Sequence, residues 1–270
     1  MIWLPPLLVA VILGLVEGVT EFLPVSSTGH LIAVGALLDF TGPRAATFEV
    51  VIQIGAILAV VWHYRTTLWD LALRSFSSGS EQRLTGNLIL AFLPAVVIGL
   101  LAHDWIKAVL FSPMVVAAAL IVGGVIMLGI EWAAPRTTAN TTDQIRPRQA
   151  VLIGFAQVLS MIPGTSRAAA TILGGYASGL SRPVATEFSF LLAIPTIVGA
   201  AGLDLFKNRG LLGADDVPLF LIGTLVAFLF ALMVIRGFLR FVERHSFTAF
   251  AWYRIAFGAL LILLITSKVI

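Results

Sequence analysis

Residues 14–35 read GLVEGVTEFLPVSSTGHLIAVG, an apolar stretch that nevertheless holds Glu17, Glu21 and His30. An ionised carboxylate near a bilayer centre costs roughly 2.5–3.5 kcal/mol on insertion scales, so two of them are expected to line a wet cavity or to act in it. Glu17 and Glu21 are four apart, which puts both carboxylates on one helix face, one turn above the other. Pro24 removes a backbone donor and drives Leu23 out of the α region, so the helix starting near Leu7 should end just past Glu21. Ser26, Ser27 and Thr28 then stand at the start of a second apolar segment, His30 to Leu38. Serine and threonine cap helix starts well, and the free N–H groups and dipole of such a start attract anions.

Composition places this stretch in a membrane. The 270 residues are 59% hydrophobic and 11% charged, with a mean hydropathy of +1.01; soluble domains run near 25% charged. The chain is therefore expected to be an all-α polytopic membrane protein. No Lys or Arg precedes the first apolar run, so that run is read as part of the fold and not as a signal peptide. The net charge of +3 comes from loop arginines and speaks to orientation, not to nucleic acid. The absence of cysteine excludes disulfides and thiolate chemistry.

Cut by Glu17 and Pro24, residues 2–16 are too short to span a core that needs about 20 residues. With the following segment they read as a re-entrant helix, break and helix. The longer runs are 48–63, 87–102, 114–132, 217–235 and 247–265, together with the span that contains Glu187. The stretches 64–83 and 135–148 read as a polar loop and a disordered-looking linker. Glu49 and Gln53 share a face of the first long run, with Glu49 either at the cavity or at the interface. His63, His103 and His245, and Trp62, Trp69, Trp105, Trp132 and Trp252, fall near span ends, as interfacial anchors do.

From Ala150 the opening pattern returns as GFAQVLSMIPGTSRAAATILGG. Gln157 stands where Glu17 stood, Pro163 where Pro24 stood, Ser166 beside the first hydroxyl cluster, and Glu187 as Glu49. Weakly similar halves with interrupted helices are what an inverted-topology repeat leaves in a sequence. We expect about six transmembrane helices and two re-entrant pairs in one membrane domain over 1–270. The first repeat would cover about 1–102, the second about 150–238, and a final helix 247–267. Arg65, Arg74 and Arg83, then Arg136, Arg146 and Arg148, then Arg236, Arg240 and Arg244 mark three cytoplasmic loops. The segments with Asp104 and Lys107, and with Asp204, Lys207, Arg209, Asp215 and Asp216, would lie outside, as would both ends of the chain.

If the two breaks meet near the midplane, two helix starts aim at one point, and Arg167 adds a planar fork of donors suited to phosphate. Arg167 would otherwise serve as an ion-pair partner of Glu17 or Glu21. Two carboxylates nearby suit a divalent cation or a general base. Such a site fits a pyrophosphate carried on a lipid, although broken helices around an anion site also suit a transporter of a polyprenyl phosphate, a flippase.

EGVTEFLPVSSTGH at 17–30, PGTSR at 163–167 with Thr171, and SRPVATEFSFLLAIP at 181–195 resemble the undecaprenyl-diphosphate phosphatases of the bacitracin-resistance type, nearly end to end. The resemblance implies hydrolysis of undecaprenyl diphosphate to the monophosphate lipid carrier of peptidoglycan synthesis. It also implies a divalent cation, Mg²⁺ or Ca²⁺, membrane lipids as surroundings, a homodimer, and an active site on the outer side of the bacterial inner membrane. Where the family often has Ser after the Arg of the second motif, this chain has Ala168. The expected catalytic residues are Ser27, His30, Glu21 and Arg167. Ser26, Thr28, Thr165, Ser166 and Arg167 are expected at the phosphate, and Glu17 and Glu21 at the metal. Ser27 would attack the terminal phosphorus, with His30 or Glu21 taking its proton; attack by His30 or by water are the other routes.

Overall fold

The computed structural model describes residues 4–74, 79–110, 112–208, 210, 213 and 216–269, with 102–110 and 208 described by their backbone. The side chains of His103, Asp104, Trp105 and Lys107, and all of Arg209 and Asp215, lie outside the described residues. Proline at the first turn starts most of the long helices, where its missing N–H is no loss. In order they are α1 (Pro6–Thr20), α2 (Ser27–Leu37), α3 (Pro43–His63), α4 (Arg65–Arg74), α5 (Gly79–Leu110), α6 (Pro113–Ala133), α7 (Pro147–Leu159), α8 (Arg167–Ala177), α9 (Arg182–Asn208), α10 (Val217–Val242) and α11 (Thr248–Thr266). Among the described residues six helices, α3, α5, α6, α9, α10 and α11, are long and apolar enough to cross a membrane. The protein is an all-α, multi-pass membrane protein.

Two stretches depart from the expectations drawn from sequence. The polar loop after His63 contains a helix, α4, which lays Leu71 into the core while Trp69 and Leu73 face outward. The segment 135–148 is ordered. Thr138 N–H donates to Gly179 O at 2.7 Å and Ser181 N–H to Ala139 O at 2.9 Å, a parallel bridge, and Asn87 donates to Ile145 O at 2.8 Å. Its polar composition hid two buried apolar anchors, Ala139 and Ile145.

The helices around the two breaks correspond at a constant separation of 140 residues: Gly14 with Gly154, Ser26 with Ser166, Gly35 with Gly175, Pro43 with Pro183, Phe48 with Phe188. Both α2 and α8 are 11 residues long. This register keeps Gln157 opposite Glu17 but corrects two pairings: Pro24 corresponds to Gly164, and Glu49 to Ser189. Packing repeats crosswise, with α1 against α10 and α7 against α5, while α3 and α9 pack on each other at the centre. A Cβ on Gly14 would meet Gly223 O at 2.5 Å, and one on Gly154 would meet Ala91 O at 2.7 Å. Equivalent glycines therefore let each broken pair approach a span of the other segment.

Candidate active site

Both breaks end on a capping serine at positive φ, reached by different turns. After α1, Val25 N–H closes a tight turn on Leu23 O at 2.8 Å, and Ser26 takes φ 73°. Its hydroxyl accepts from Gly29 N–H and caps α2. After α7, Thr165 N–H closes on Ile162 O at 3.1 Å, and Ser166 takes φ 71° and caps α8 through Ala169 N–H at 3.1 Å. A non-glycine residue at positive φ stores of order 1–3 kcal/mol of strain and needs its surroundings to hold it. Two such serines, 140 residues apart, start the two helices whose free N–H groups carry the anion-attracting character.

The side chains around these starts form one connected set. Ser27 Oγ donates to Glu21 Oε2 at 2.6 Å, and Arg167 Nη2 donates to Glu21 Oε1 at 3.0 Å. The Arg167–Glu21 pair is about nine-tenths buried on both sides. Breaking such a pair strands a buried charge. Arg167 Nη1 donates to Ser189 O at 3.2 Å, its guanidinium lies 5.7 Å over the Phe22 ring, and Nε has no partner among the described residues. Thr171 shares a 2.5 Å hydrogen bond with Ser189 and donates back to Arg167 O, steadying the base of the arginine.

Glu21, Ser26, Ser27, Thr28, Ser166 and Arg167 face a cavity of about 230 Å³. Glu17, His30 and Thr165 are not part of its wall. Glu17 is fully buried one turn below Glu21, and neither of its carboxyl oxygens has a hydrogen-bond partner among the described residues. Gln53 reaches the cavity and Glu49 does not. Four residues of this wall, Gln53, Ser160, Thr196 and Ala200, also line an adjoining cavity of about 730 Å³ between α3, α5, α7 and α9. Val50, Phe92, Val96, Met161 and Leu203 make that second space mainly apolar, although Gln157, Asp204 and Lys207 also stand in its wall.

His30 turns away from Ser27. Its Nδ1 lies 2.7 Å from Ser26 O, and a carbonyl only accepts, so Nδ1 carries the proton. Nε2 then accepts from the Tyr253 hydroxyl at 2.6 Å, and the ring stacks on Phe257 at 4.2 Å. His30 thereby braces the carbonyl of the strained Ser26. Sequence reading passed over Tyr253 and Arg254 of α11, Ser189, and Thr196. The available signal was Arg254, the one charge inside Thr248–Thr266.

A pair of helix starts, an arginine bound to a carboxylate, and a serine hydrogen-bonded to the same carboxylate, all beside an apolar cavity, is an arrangement for an anionic headgroup on an apolar tail. The family model described as bacitracin resistance protein BacA matches residues 10–260. Undecaprenyl-diphosphatase 1 of Pseudomonas fluorescens (strain Pf0-1) is 54% identical over 253 residues, 94% of this chain and 92% of that protein. Undecaprenyl-diphosphatase of Pseudomonas putida (strain W619) is 52% identical over the same shares, and that of Aromatoleum aromaticum (strain DSM 19018 / LMG 30748 / EbN1) is 51% identical over 94% of this chain and 93% of its own. With the match covering all of the site and nearly all of the fold, the chain belongs to the bacitracin resistance protein BacA family.

Proposed function

We propose that this protein hydrolyses undecaprenyl diphosphate to undecaprenyl phosphate and inorganic phosphate, returning the lipid carrier to cell-wall synthesis and so conferring bacitracin resistance. The observation that carries the reading is the chain Ser27–Glu21–Arg167 at the meeting of two helix starts. Family membership and the names of the relatives agree with it. The diphosphate would sit in the polar cavity and the first part of the polyprenyl tail in the apolar one. In this reading Ser27 Oγ attacks the terminal phosphorus and passes its proton to Glu21. The bond from that phosphorus to the bridging oxygen breaks, releasing the lipid monophosphate. Water then cleaves the phosphoserine to phosphate and restores the serine. Arg167 and the N–H groups of α2 and α8 hold the phosphoryl oxygens, which is most of what phosphoryl transfer asks of a protein. Glu21, and not His30, is the hydrogen-bond partner of the serine, which favours it as the base.

Glu17 and Glu21 would hold a divalent cation, Mg²⁺ or Ca²⁺. Glu17 offers two carboxyl oxygens unpartnered among the described residues, but it stands outside the cavity wall and both oxygens of Glu21 are engaged by Ser27 and Arg167, so holding the ion would require these side chains to shift. Among the described residues no group of three or more acidic or histidine ligands surrounds it. Two carboxylates with phosphate oxygens and water are a usual magnesium environment, and the ion would supply charge neutralisation of the diphosphate. We further infer that the two broken pairs are re-entrant and form an inverted repeat, with the site open to the outer side of the bacterial inner membrane; the constant 140-residue register, the crosswise packing and the distribution of loop arginines support this. Transport without chemistry finds no support in the relatives, which are named for the phosphatase activity.

Release of inorganic phosphate from undecaprenyl diphosphate by the detergent-purified protein, with and without Mg²⁺ or Ca²⁺, tests the reading. Cation-dependent release is expected. A protein that binds the lipid yet releases no phosphate would be a carrier.

A further inference from the structure

Arg254 lies in α11, outside both corresponding segments, and is fully buried. Among the described residues no carboxylate forms an ion pair with it. A buried guanidinium without a counter-charge is expensive unless its donors are spent on strong acceptors. Here they are spent on four backbone carbonyls. Nη1 donates to Pro24 O at 3.2 Å and Nη2 to Gly164 O at 3.2 Å; Nη2 also reaches Ala119 O at 3.3 Å and Nε reaches Leu120 O at 3.4 Å, both on α6. Pro24 and Gly164 are equivalent positions, each two residues before a capping serine and 140 residues apart. Carbonyls in a broken helix have lost their intrahelical donors, and at membrane depth no solvent replaces them. One planar side chain therefore satisfies the same orphan acceptor in both breaks and anchors the pair to α6.

We propose that Arg254 is the positioning residue of the phosphate site, fixing the start of α2, with Ser27, against the start of α8, with Arg167. This rests on the phosphatase reading above. Arg254 lines neither the polar nor the apolar cavity. Its loss leaves the lipid-binding cavity intact but lets the two helix starts drift apart, and a misplacement of about 1 Å between reacting groups costs roughly 100-fold in rate. Lysine cannot replace it, because one ammonium cannot present a planar fork to two carbonyls on separate chain segments.

Gly123 of α6 offers a second handle that leaves the arginine in place. A Cβ there would collide with Arg254 Nη2 and stand 3.0 Å from Cζ, so Gly123→Ala must push aside the end of the side chain that holds Gly164 O. The experiment compares the parent, Arg254→Lys, Gly123→Ala and the double variant as monodisperse detergent-purified proteins, measuring phosphate release from undecaprenyl diphosphate and thermal melting. In each folded single variant kcat should fall about 100-fold while KM stays within about threefold. The double variant should be no worse than the weaker single, since both act on one contact. Parental kcat in either folded single variant, a loss confined to KM, or multiplicative losses in the double would overturn the proposal. Should Arg254→Lys not fold, Gly123→Ala decides alone. A silent parent protein would instead refute the phosphatase reading itself.

Discussion

The break at residues 21–30 and the break at 161–170 share a capping geometry and carry opposite chemistry. Both place a serine at φ near 70° on the cap of an 11-residue helix. At equivalent positions the first carries Glu17, Glu21, Ser27 and His30 where the second carries Gln157, Met161, Arg167 and Ala170. A cradle made of two helix starts needs the backbone twice. The charged groups are needed once, because two Glu21-like carboxylates or two guanidiniums facing each other in a poorly screened cavity would repel strongly. On the reading proposed above, a repeated helix start would supply the anion site, and the different side chains on its two copies would divide it into an acid-and-nucleophile half and a guanidinium half.

Four substitutions test this division, taken from the largest expected effect downward. Ser27→Ala removes the proposed nucleophile of the first half and should lower kcat by about 10⁴-fold while lipid binding persists; full activity in single-turnover assays would rule out the serine route. Arg167→Ala empties the guanidinium half and should lower kcat/KM by about 10³-fold, with Arg167→Lys recovering little of it. If lysine restores the rate, a point charge and not a fork is what the site requires. Glu17→Gln copies the second half into the first, and should raise the Mg²⁺ concentration for half-maximal activity about tenfold without lowering the melting temperature. An unchanged metal titration would remove Glu17 from the cation site. Tyr253→Phe deletes only the hydroxyl that meets His30, and should lower kcat about fivefold, the worth of one hydrogen bond. A loss as large as that of Ser27→Ala would mean that His30 acts in the chemistry and does not merely brace Ser26.

Much of this was legible in the residues. Pro24 and the Pro-Gly-Thr-Ser turn announce breaks inside apolar runs because proline cannot continue a helix, and Glu17, Glu21 and Arg167 stand out where charge is costly. The register between the halves was readable only approximately: two prolines, Pro24 and Pro163, suggest an alignment, yet the capping serines set it one residue away. Helix α4 was missed because a short amphipathic helix beside a membrane lacks the apolar length that marks a span. The engagement of His30 with Tyr253, 223 residues away, is a tertiary contact that no spacing encodes. Arg254 was visible by the same rule that exposed Arg167, but it has no motif around it, and its partners are carbonyls, which are the same in every sequence.

The apolar cavity beside the phosphate site has a fixed capacity of about 730 Å³. Its outer rim includes Leu100 and Leu203, both facing the surroundings. On the proposed reading, a polyprenyl chain that begins at the headgroup would fill this space with its first isoprene units and then leave between the helices into the bilayer. Selection for tail length would then saturate: each added unit would strengthen binding until the cavity is full, and every unit beyond that would exchange one hydrocarbon environment for another.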